Sequence, residues 1–228
     1  MATEVIVIRH AETYGNIEGR FCGHSETELT AKGIQQAQAL GLRLKDENFD
    51  AAYSSDLSRA IDTARHAIEH HTAPLEPKTD RDLREMHYGE WEGLPATEIG
   101  ARQADLLRDF FMMRLAGAPG GETIEEVRER TAGAVRRVVD EHQGGRVLVV
   151  SHGNAIMAML AELLAMPRES TWSFAVANTS ITRLQFGRSG RVMLTGFNDH
   201  AHTLDLRAAE SATRKLDWAE DSTATRTS

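Results

Sequence analysis

Apolar positions in this chain fall into short β-branched runs separated by helical stripes. Val5-Ile6-Val7-Ile8 is unbroken, as a strand covered on both faces requires, because such a strand has no polar side. It stops at Arg9-His10, and a polar, glycine-containing loop follows to about Thr30. Thr30 reads as an N-cap, with Ile34, Ala37, Leu40, Gly41 and Leu44 behind it at helical spacing. Asp50–Ser54 predicts a second short strand. Ser55 or Asp56 then caps a helix that turns Ala60, Ile61, Ala64 and Ala67 inward. Leu75–Thr79 is a candidate third strand.

The segment Arg84–Leu94 carries two glycines and Trp91 and reads as loop. Helical character returns over Ala96–Met113 and is broken by Ala118-Pro119-Gly120-Gly121. From Thr123 to His142, the residues Ile124, Val127, Thr131, Val135, Val138 and Val139 make one stripe, the mark of an amphipathic helix. Gly144-Gly145 ends it. Arg146–Val150 predicts another buried strand, Ser151–Asn154 a turn, and Ala155–Leu164 a helix. Ile181–Phe186 and Arg191–Phe197 pair as a hairpin around Gly187–Gly190. Strands alternating with helices predict an α/β fold, a three-layer α/β/α sandwich whose mostly parallel sheet takes an antiparallel edge strand from the hairpin. Residues 1–206 form one domain in this reading, with a helical cap inserted at about 92–121. Residues 207–228, rich in Ala, Thr and Ser, read as a flexible tail.

Composition narrows the function. With 228 residues, 41% hydrophobic and 26% charged, the chain can bury roughly 70–75% of its unfolded surface in one core. Its one cysteine, Cys22, cannot close an internal disulfide, so a disulfide scaffold is excluded. A net charge of −8 argues against nucleic acid and anionic membrane as partners. The longest apolar stretch, Ala155–Met166, contains Glu162 and falls short of the ~20 residues a membrane helix needs. No export signal precedes Val5, so a cytoplasmic location is the default expectation.

The chemistry gathers at strand ends. His10 follows the first strand and His152 the strand Val147–Val150. In a parallel sheet those carboxyl ends share one rim, where ligands bind. The two imidazoles face one another if their strands are neighbours. Arg9 stands beside the first, Arg59 opens the helix after the second strand, and Glu85 follows the third. Arginine grips a phosphate through its planar fork. Phosphoryl transfer spreads charge over three equatorial oxygens, which guanidinium and imidazole groups can neutralise without a metal. A neutral imidazole is a competent nucleophile, and a carboxyl group can protonate a leaving alcohol.

These residues stand in four ordered blocks. Val7-Ile8-Arg9-His10-Ala11-Glu12-Thr13 is followed by Asn16. Next come Ser54-Ser55-Asp56-Leu57-Ser58-Arg59-Ala60 with Thr63-Ala64, then Glu85 ahead of Gly89-Glu90-Trp91-Glu92-Gly93, then Val150-Ser151-His152-Gly153. The set resembles the histidine phosphatase superfamily, also called phosphoglycerate mutase-like, from about residue 4 to about 202. The resemblance implies that His10 is the phosphorylated nucleophile, that Arg9, Arg59 and His152 form the phosphate pocket with Asn16, and that Glu85 is the general acid. It further implies that the Gly153 amide donates to the anion, that Cys22-Gly23 lies on a substrate-facing loop, and that His87 and Tyr88 line the substrate cleft. Ala11 departs from the glycine commoner in the family.

The implied activity is a metal-independent phosphomonoesterase acting on a small phosphorylated metabolite, with no cofactor. The alternative is a cofactor-dependent phosphoglycerate mutase. Mutases of this family carry a longer insertion after the acid loop, with lysine and an Arg-Arg pair. Here Leu94–Pro119 is short and holds Arg102, Arg108 and Arg114 singly, which favours the phosphatase branch. His70-His71 and His200-x-His202 lack partners at ligand spacing, so no metal site is expected. Met157, Met159 and Met166 read as core filling, Trp172 and Phe174 as core or interface.

Overall fold

In a computed structural model, which describes residues 1–204 and 206, the strands are β1 (Thr3–Arg9), β2 (Ala51–Ser54), β3 (Lys78–Thr79), β4 (Arg146–Ser151), β5 (Ile181–Phe186) and β6 (Val192–Asp199). They lie in the order β3-β2-β4-β1-β5-β6. The pairs β1–β4, β4–β2 and β2–β3 are parallel, while β5 and β6 run antiparallel at one edge. The helices are α1 (Tyr14–Ile17), α2 (Ala31–Leu44), α3 (Ser58–Ala67), α4 (Ala96–Phe111), α5 (Ile124–Glu141) and α6 (Gly153–Leu163). The architecture is thus the α/β sandwich that the alternating pattern predicts. The 207–228 tail lies outside the described residues.

The continuous apolar runs are explained by two cores. Val5, Val7, Val147 and Val149 point to one face, where Val135 and Val138 of α5 and Ile156, Met159 and Leu160 of α6 cover them. Ile6, Ile8, Leu148 and Val150 point to the other, against Leu40 and Leu44 of α2 and Ala60 and Ala64 of α3. Burying each such Val, Ile or Leu side chain stabilises by about 1.5–3 kcal/mol. That is why neither central strand tolerates a polar face. A third cluster, with Met86, Tyr88, Trp91, Ile99 and Phe110, sits beneath α4. α4 kinks at Gln103 (φ −140°, ψ 47°), whose Oε1 accepts the indole N–H of Trp91 at 2.7 Å.

Several local expectations are corrected. Helix α3 is capped neither by Ser55 nor by Asp56. Its N-cap is Leu57, which makes no side-chain capping bond, and the Glu26 carboxylate accepts the Ser58 N–H at 3.1 Å from a distant loop. A carboxylate there also complements the helix dipole. The third strand is two residues, Lys78–Thr79, rather than five, with Leu75 packed against the core beside it. Ile34 is exposed and Ile61 half-buried. Gln36 and Thr63 take inward positions because each accepts a loop N–H, from Glu12 and Ala11 respectively. The loop after His10 contains α1, closed by a capping box between Thr13 and Asn16. Helix α6 begins two residues early, with His152 as its N-cap.

Candidate functional site

The register of β1 on β4 builds the site. Arg9 pairs with Ser151, so His10 and His152 each stand one residue beyond the last paired position. Their rings lie 5.1 Å apart, tilted by 57°. Both are buried. The His10 N–H of the backbone donates to the Ser151 carbonyl at 2.9 Å, and Ser151 Oγ donates to the Leu83 carbonyl at 2.8 Å. The ends of β1 and β4 are thereby tied to each other and to the turn that precedes Glu85. Ala11 is fully buried and has no left-handed φ, so the position does not require glycine.

Each imidazole is held in one tautomer. His10 Nδ1 lies 2.7 Å from the Ala11 carbonyl, which can only accept. The proton is therefore on Nδ1 and Nε2 carries a lone pair. His152 is the reverse. Its Nδ1 accepts from Arg59 Nε at 3.1 Å, so the proton is on Nε2, and no protein atom accepts it. Burial pushes both histidines well below the usual 6.5, and the nearby guanidinium charges push further in the same direction. Both are neutral near pH 7. One ring offers an electron pair and its neighbour offers a proton.

The arginines are anchored from behind. Arg59 gives Nη1 to the Ser25 carbonyl at 2.9 Å and Nη2 to the carbonyls of Cys22 and Gly23 at 3.1 and 2.8 Å. With the bond to His152, most of its donors are spent on positioning. Arg9 gives Nη1 to the Val176 carbonyl at 2.6 Å, while its buried Nε has no partner. The Arg9 guanidinium carbon lies 3.4 Å from where a Cβ on Gly153 would stand, an ordinary contact distance, so the cation rests against the start of α6.

Glu85 reaches the same helix terminus. Its Oε1 accepts the N–H groups of Met86 and Ala155, both at 2.9 Å, and Oε2 accepts that of Asn154 at 3.1 Å. A carboxyl oxygen has two acceptor positions. Oε1 is filled, so a transferable proton belongs on Oε2. Tyr88, whose phenol is pushed well above its usual 10 by burial and then by Glu85 and Glu92, accepts the Asn154 side-chain N–H at 2.8 Å.

A cleft of about 530 Å³ opens over these groups. Arg9, His10, Asn16, Cys22, Arg59, Glu85, Tyr88 and Gly153 all line it. His152 sits behind them with no exposed surface. Asn16 Oδ1 is occupied by the Thr13 N–H and by Asn178 Nδ2, which leaves its own amide N–H₂ as the available end. Gly23 and His87 lie outside the lining. Gly23 serves through its carbonyl on Arg59, and a Cβ there would collide with the Met86 carbonyl at 2.2 Å. His87 stacks edge-on to His24 at 5.0 Å. Trp172, Phe174 and Met157 pack against the cores, as expected, and their other sides line the cleft. Burial pushes the Cys22 thiol up, away from the reactive thiolate.

Three supporting residues carry no periodic signal in the sequence. Glu92 accepts the N–H groups of Gly23, His24, Ser25 and Tyr88. The loop that binds Arg59 by its carbonyls is thus bound to Glu92 by its amides. Arg130 donates to the carbonyls of Asp82, Arg84 and Glu85 and to both oxygens of Glu122, fixing the segment that presents Glu85. Asn178 donates to the His10 carbonyl at 2.9 Å. Beside it Thr179 is held at φ 55°, a rare state for a β-branched residue, by its N–H bond to the Arg9 carbonyl at 3.0 Å. Among the described residues no group of three or more His, Cys, Asp or Glu side chains is placed to hold a metal ion, and no helix is long and apolar enough to cross a membrane.

The histidine phosphatase superfamily (branch 1) pattern matches residues 5–199. A metal-independent phosphoserine phosphatase of Arabidopsis thaliana is 36% identical over 69% of this chain and 67% of its own. A 2,3-bisphosphoglycerate-dependent phosphoglycerate mutase of Gloeobacter violaceus is 36% identical over 70% of this chain and 74% of its own. The solved structure of Bacillus stearothermophilus YhfR superposes with a TM-score of 0.83 at 32% identity, covering 88% of this chain and 99% of that one. The matched span takes in both histidines, both arginines and the carboxyl group, and the chain belongs to the histidine phosphatase superfamily, branch 1.

Proposed function

We propose that this enzyme is a metal-independent phosphomonoesterase that hydrolyses small phosphate esters through a phosphohistidine on Nε2 of His10. The observation that carries the reading is the pair of facing imidazoles with opposite tautomers. In the first step Nε2 of His10 forms a bond to phosphorus as the ester P–O bond breaks. The electron pair leaves on the alcohol oxygen, which takes the proton from Oε2 of Glu85. Arg9, Arg59, the Nε2–H of His152 and the Asn16 amide hold the charge on the three remaining oxygens. In the second step water adds to phosphorus and gives its proton to Glu85. The P–N bond breaks, and Nε2 regains its pair as phosphate leaves.

The cleft favours hydrolysis over mutase action. Arg102, Arg108 and Arg114 lie in exposed ion pairs with Glu98, Asp105 and Asp109, and none of them lines the cleft. A mutase must hold the carboxylate of its substrate and retain the sugar-acid intermediate between transfers. The test is turnover of p-nitrophenyl phosphate in EDTA from about pH 5 to 8, with vanadate as inhibitor, beside an enolase-coupled assay on 3-phosphoglycerate. Hydrolysis that vanadate blocks is expected. No hydrolysis in EDTA, or interconversion of phosphoglycerates far faster than hydrolysis, would overturn the reading.

A further inference from the structure

The phosphate end occupies only part of the cleft. At about 530 Å³ it falls in the range of roughly 300–1,000 Å³ that takes a drug-sized ligand, more than a three-carbon acid fills. Away from Arg9, His10 and Glu85 the larger side chains of the wall are mostly apolar, Phe21, Phe111, Met157, Trp172, Phe174 and Val176, with Asn154 and Arg20 as polar members. Phe21 stands edge-on to Tyr88 at 5.0 Å and to Trp91 at 5.7 Å, with Phe111 at 6.3 Å. Phe111 itself is 58% exposed at the end of α4. An apolar ring left in water and continuous with a cleft wall marks a surface that gains by being covered.

Charge is missing where a second anionic group would sit. No lysine lines the cleft. Arg59 spends four of its five donors on His152, Ser25, Cys22 and Gly23, which leaves it one for the phosphoryl group. Arg20, the remaining cation of the lining, is at the rim, paired with Glu18 and bonded to the Gly93 carbonyl at 2.8 Å. A carboxylate on the alcohol half would therefore leave water for aromatic faces, and burying a charge without a partner is unfavourable. Aromatic edges and faces at these spacings suit another ring.

We infer that the alcohol half of the substrate is an uncharged, apolar, ring-bearing group held among Phe21, Phe111, Trp172 and Phe174. This inference rests on the phosphatase reading above and names its substrate class. The enzyme then belongs after a reaction that phosphorylates, or releases as a phosphate ester, an apolar cyclic alcohol, and it delivers the free alcohol.

The experiment compares primary alkyl esters of matched leaving-group chemistry on the purified full chain: 2-phenylethyl phosphate, ethyl phosphate and phosphoserine. One well-placed apolar group in a pocket is worth roughly 10–200-fold, so kcat/KM for the phenylethyl ester is expected to exceed that for each of the others by at least about tenfold, mainly through KM. Phe111→Ala and Trp172→Ala should each bring the phenylethyl-to-ethyl ratio toward one. Two changed positions guard against one variant failing to fold. Equal kcat/KM for the three esters, preference for phosphoserine, or a ratio unmoved in both variants overturns the substrate inference while leaving hydrolysis in place. No turnover of any ester overturns the phosphatase reading and this inference with it.

Discussion

Arg59 Nε donates to Nδ1 of His152 at 3.1 Å, and this bond decides which nitrogen of the imidazole carries the proton. In the proposed mechanism the arginine acts twice, as a cation beside the phosphoryl group and as the group that keeps the proton of His152 on Nε2. Lysine can supply the charge but not the fixed fork. Arg59→Lys should lower kcat/KM by about 100-fold or more, the cost of losing one preorganised donor, although the net charge is unchanged. Steady-state kinetics on a folded variant, with the His152 tautomer followed by ¹⁵N NMR, checks it.

The Ala11 carbonyl gives the same control over His10. With Nδ1 committed at 2.7 Å, the phosphoryl group should appear on Nε2 and not on Nδ1. Rapid-quench labelling at alkaline pH, followed by ³¹P or ¹⁵N NMR of the denatured phosphoenzyme, distinguishes the two isomers. The acid-labile label should vanish in His10→Ala, and label on Nδ1 would show that the ring turns before it reacts.

Both rings titrate below the usual 6.5 because they are buried next to two arginines. The unfolded chain therefore binds more protons than the folded one at pH values below about 6.5, and stability rises with pH wherever the unfolded state holds the excess. Stability should be fully present above about 6.5 and fall as pH drops through that value toward the folded pKa values. Urea unfolding from about pH 7 down to 5 should show this slope, and it should flatten in the His10→Ala, His152→Ala double variant. The acid limb of kcat/KM should likewise lie below 6.5, since His10 must be neutral to attack.

The sequence showed the chemistry through strand ends. Val5–Ile8 and Val147–Val150 are readable as central strands because both faces are covered. Once they are neighbours, the residues that follow them must meet. What the sequence hid has a different origin. Trp172, Phe174 and Met157 do pack on the core, and their second role in the cleft wall is hidden because a cleft wall and a core are built from the same side chains. The cap of α3 comes from Glu26, far along the chain, and no local pattern announces it. Glu92 and Arg130 work through backbone groups of distant loops, and those bonds exist only once the chain has folded. His87 and Gly23 follow motif residues closely in sequence, but a turn of the loop sends the first toward His24 and leaves the second to act through its backbone, the carbonyl on Arg59 and the N–H on Glu92.

Proton delivery should depend on the ester. Glu85→Gln keeps the size and one acceptor oxygen but cannot pass a proton. Alkyl esters, whose alcohols leave poorly, should slow by about 100- to 10,000-fold, the usual worth of a general acid. p-Nitrophenyl phosphate, whose phenolate needs little help, should slow by less than about tenfold in phosphoryl transfer. Single-turnover kinetics separates that step from hydrolysis of the phosphoenzyme. Equal losses for both esters would assign Glu85 to holding the start of α6 rather than to proton transfer.

Glu92 tests how far the site depends on a residue outside its lining. Its carboxylate accepts the amides of Gly23, His24 and Ser25 at 3.2, 3.1 and 3.3 Å and that of Tyr88 at 2.9 Å. The opposite edge of that loop supplies the carbonyls that hold Arg59. Removing the carboxylate strips several amides of their charged acceptor, about 3 kcal/mol in sum once water replaces part of it. For a domain of this size that is a fall of roughly 6–12 °C in Tm. A purely structural residue would leave kcat intact well below the new Tm. Because the loop also positions Arg59, Glu92→Ala should lose about tenfold or more in kcat there as well, as small misplacements of a catalytic group do. Glu92→Gln, which retains one acceptor oxygen, should recover part of both losses. Calorimetry and kinetics on the same preparations decide between the two roles, and an unchanged kcat in a destabilised Glu92→Ala would show that Arg59 keeps its place without the loop.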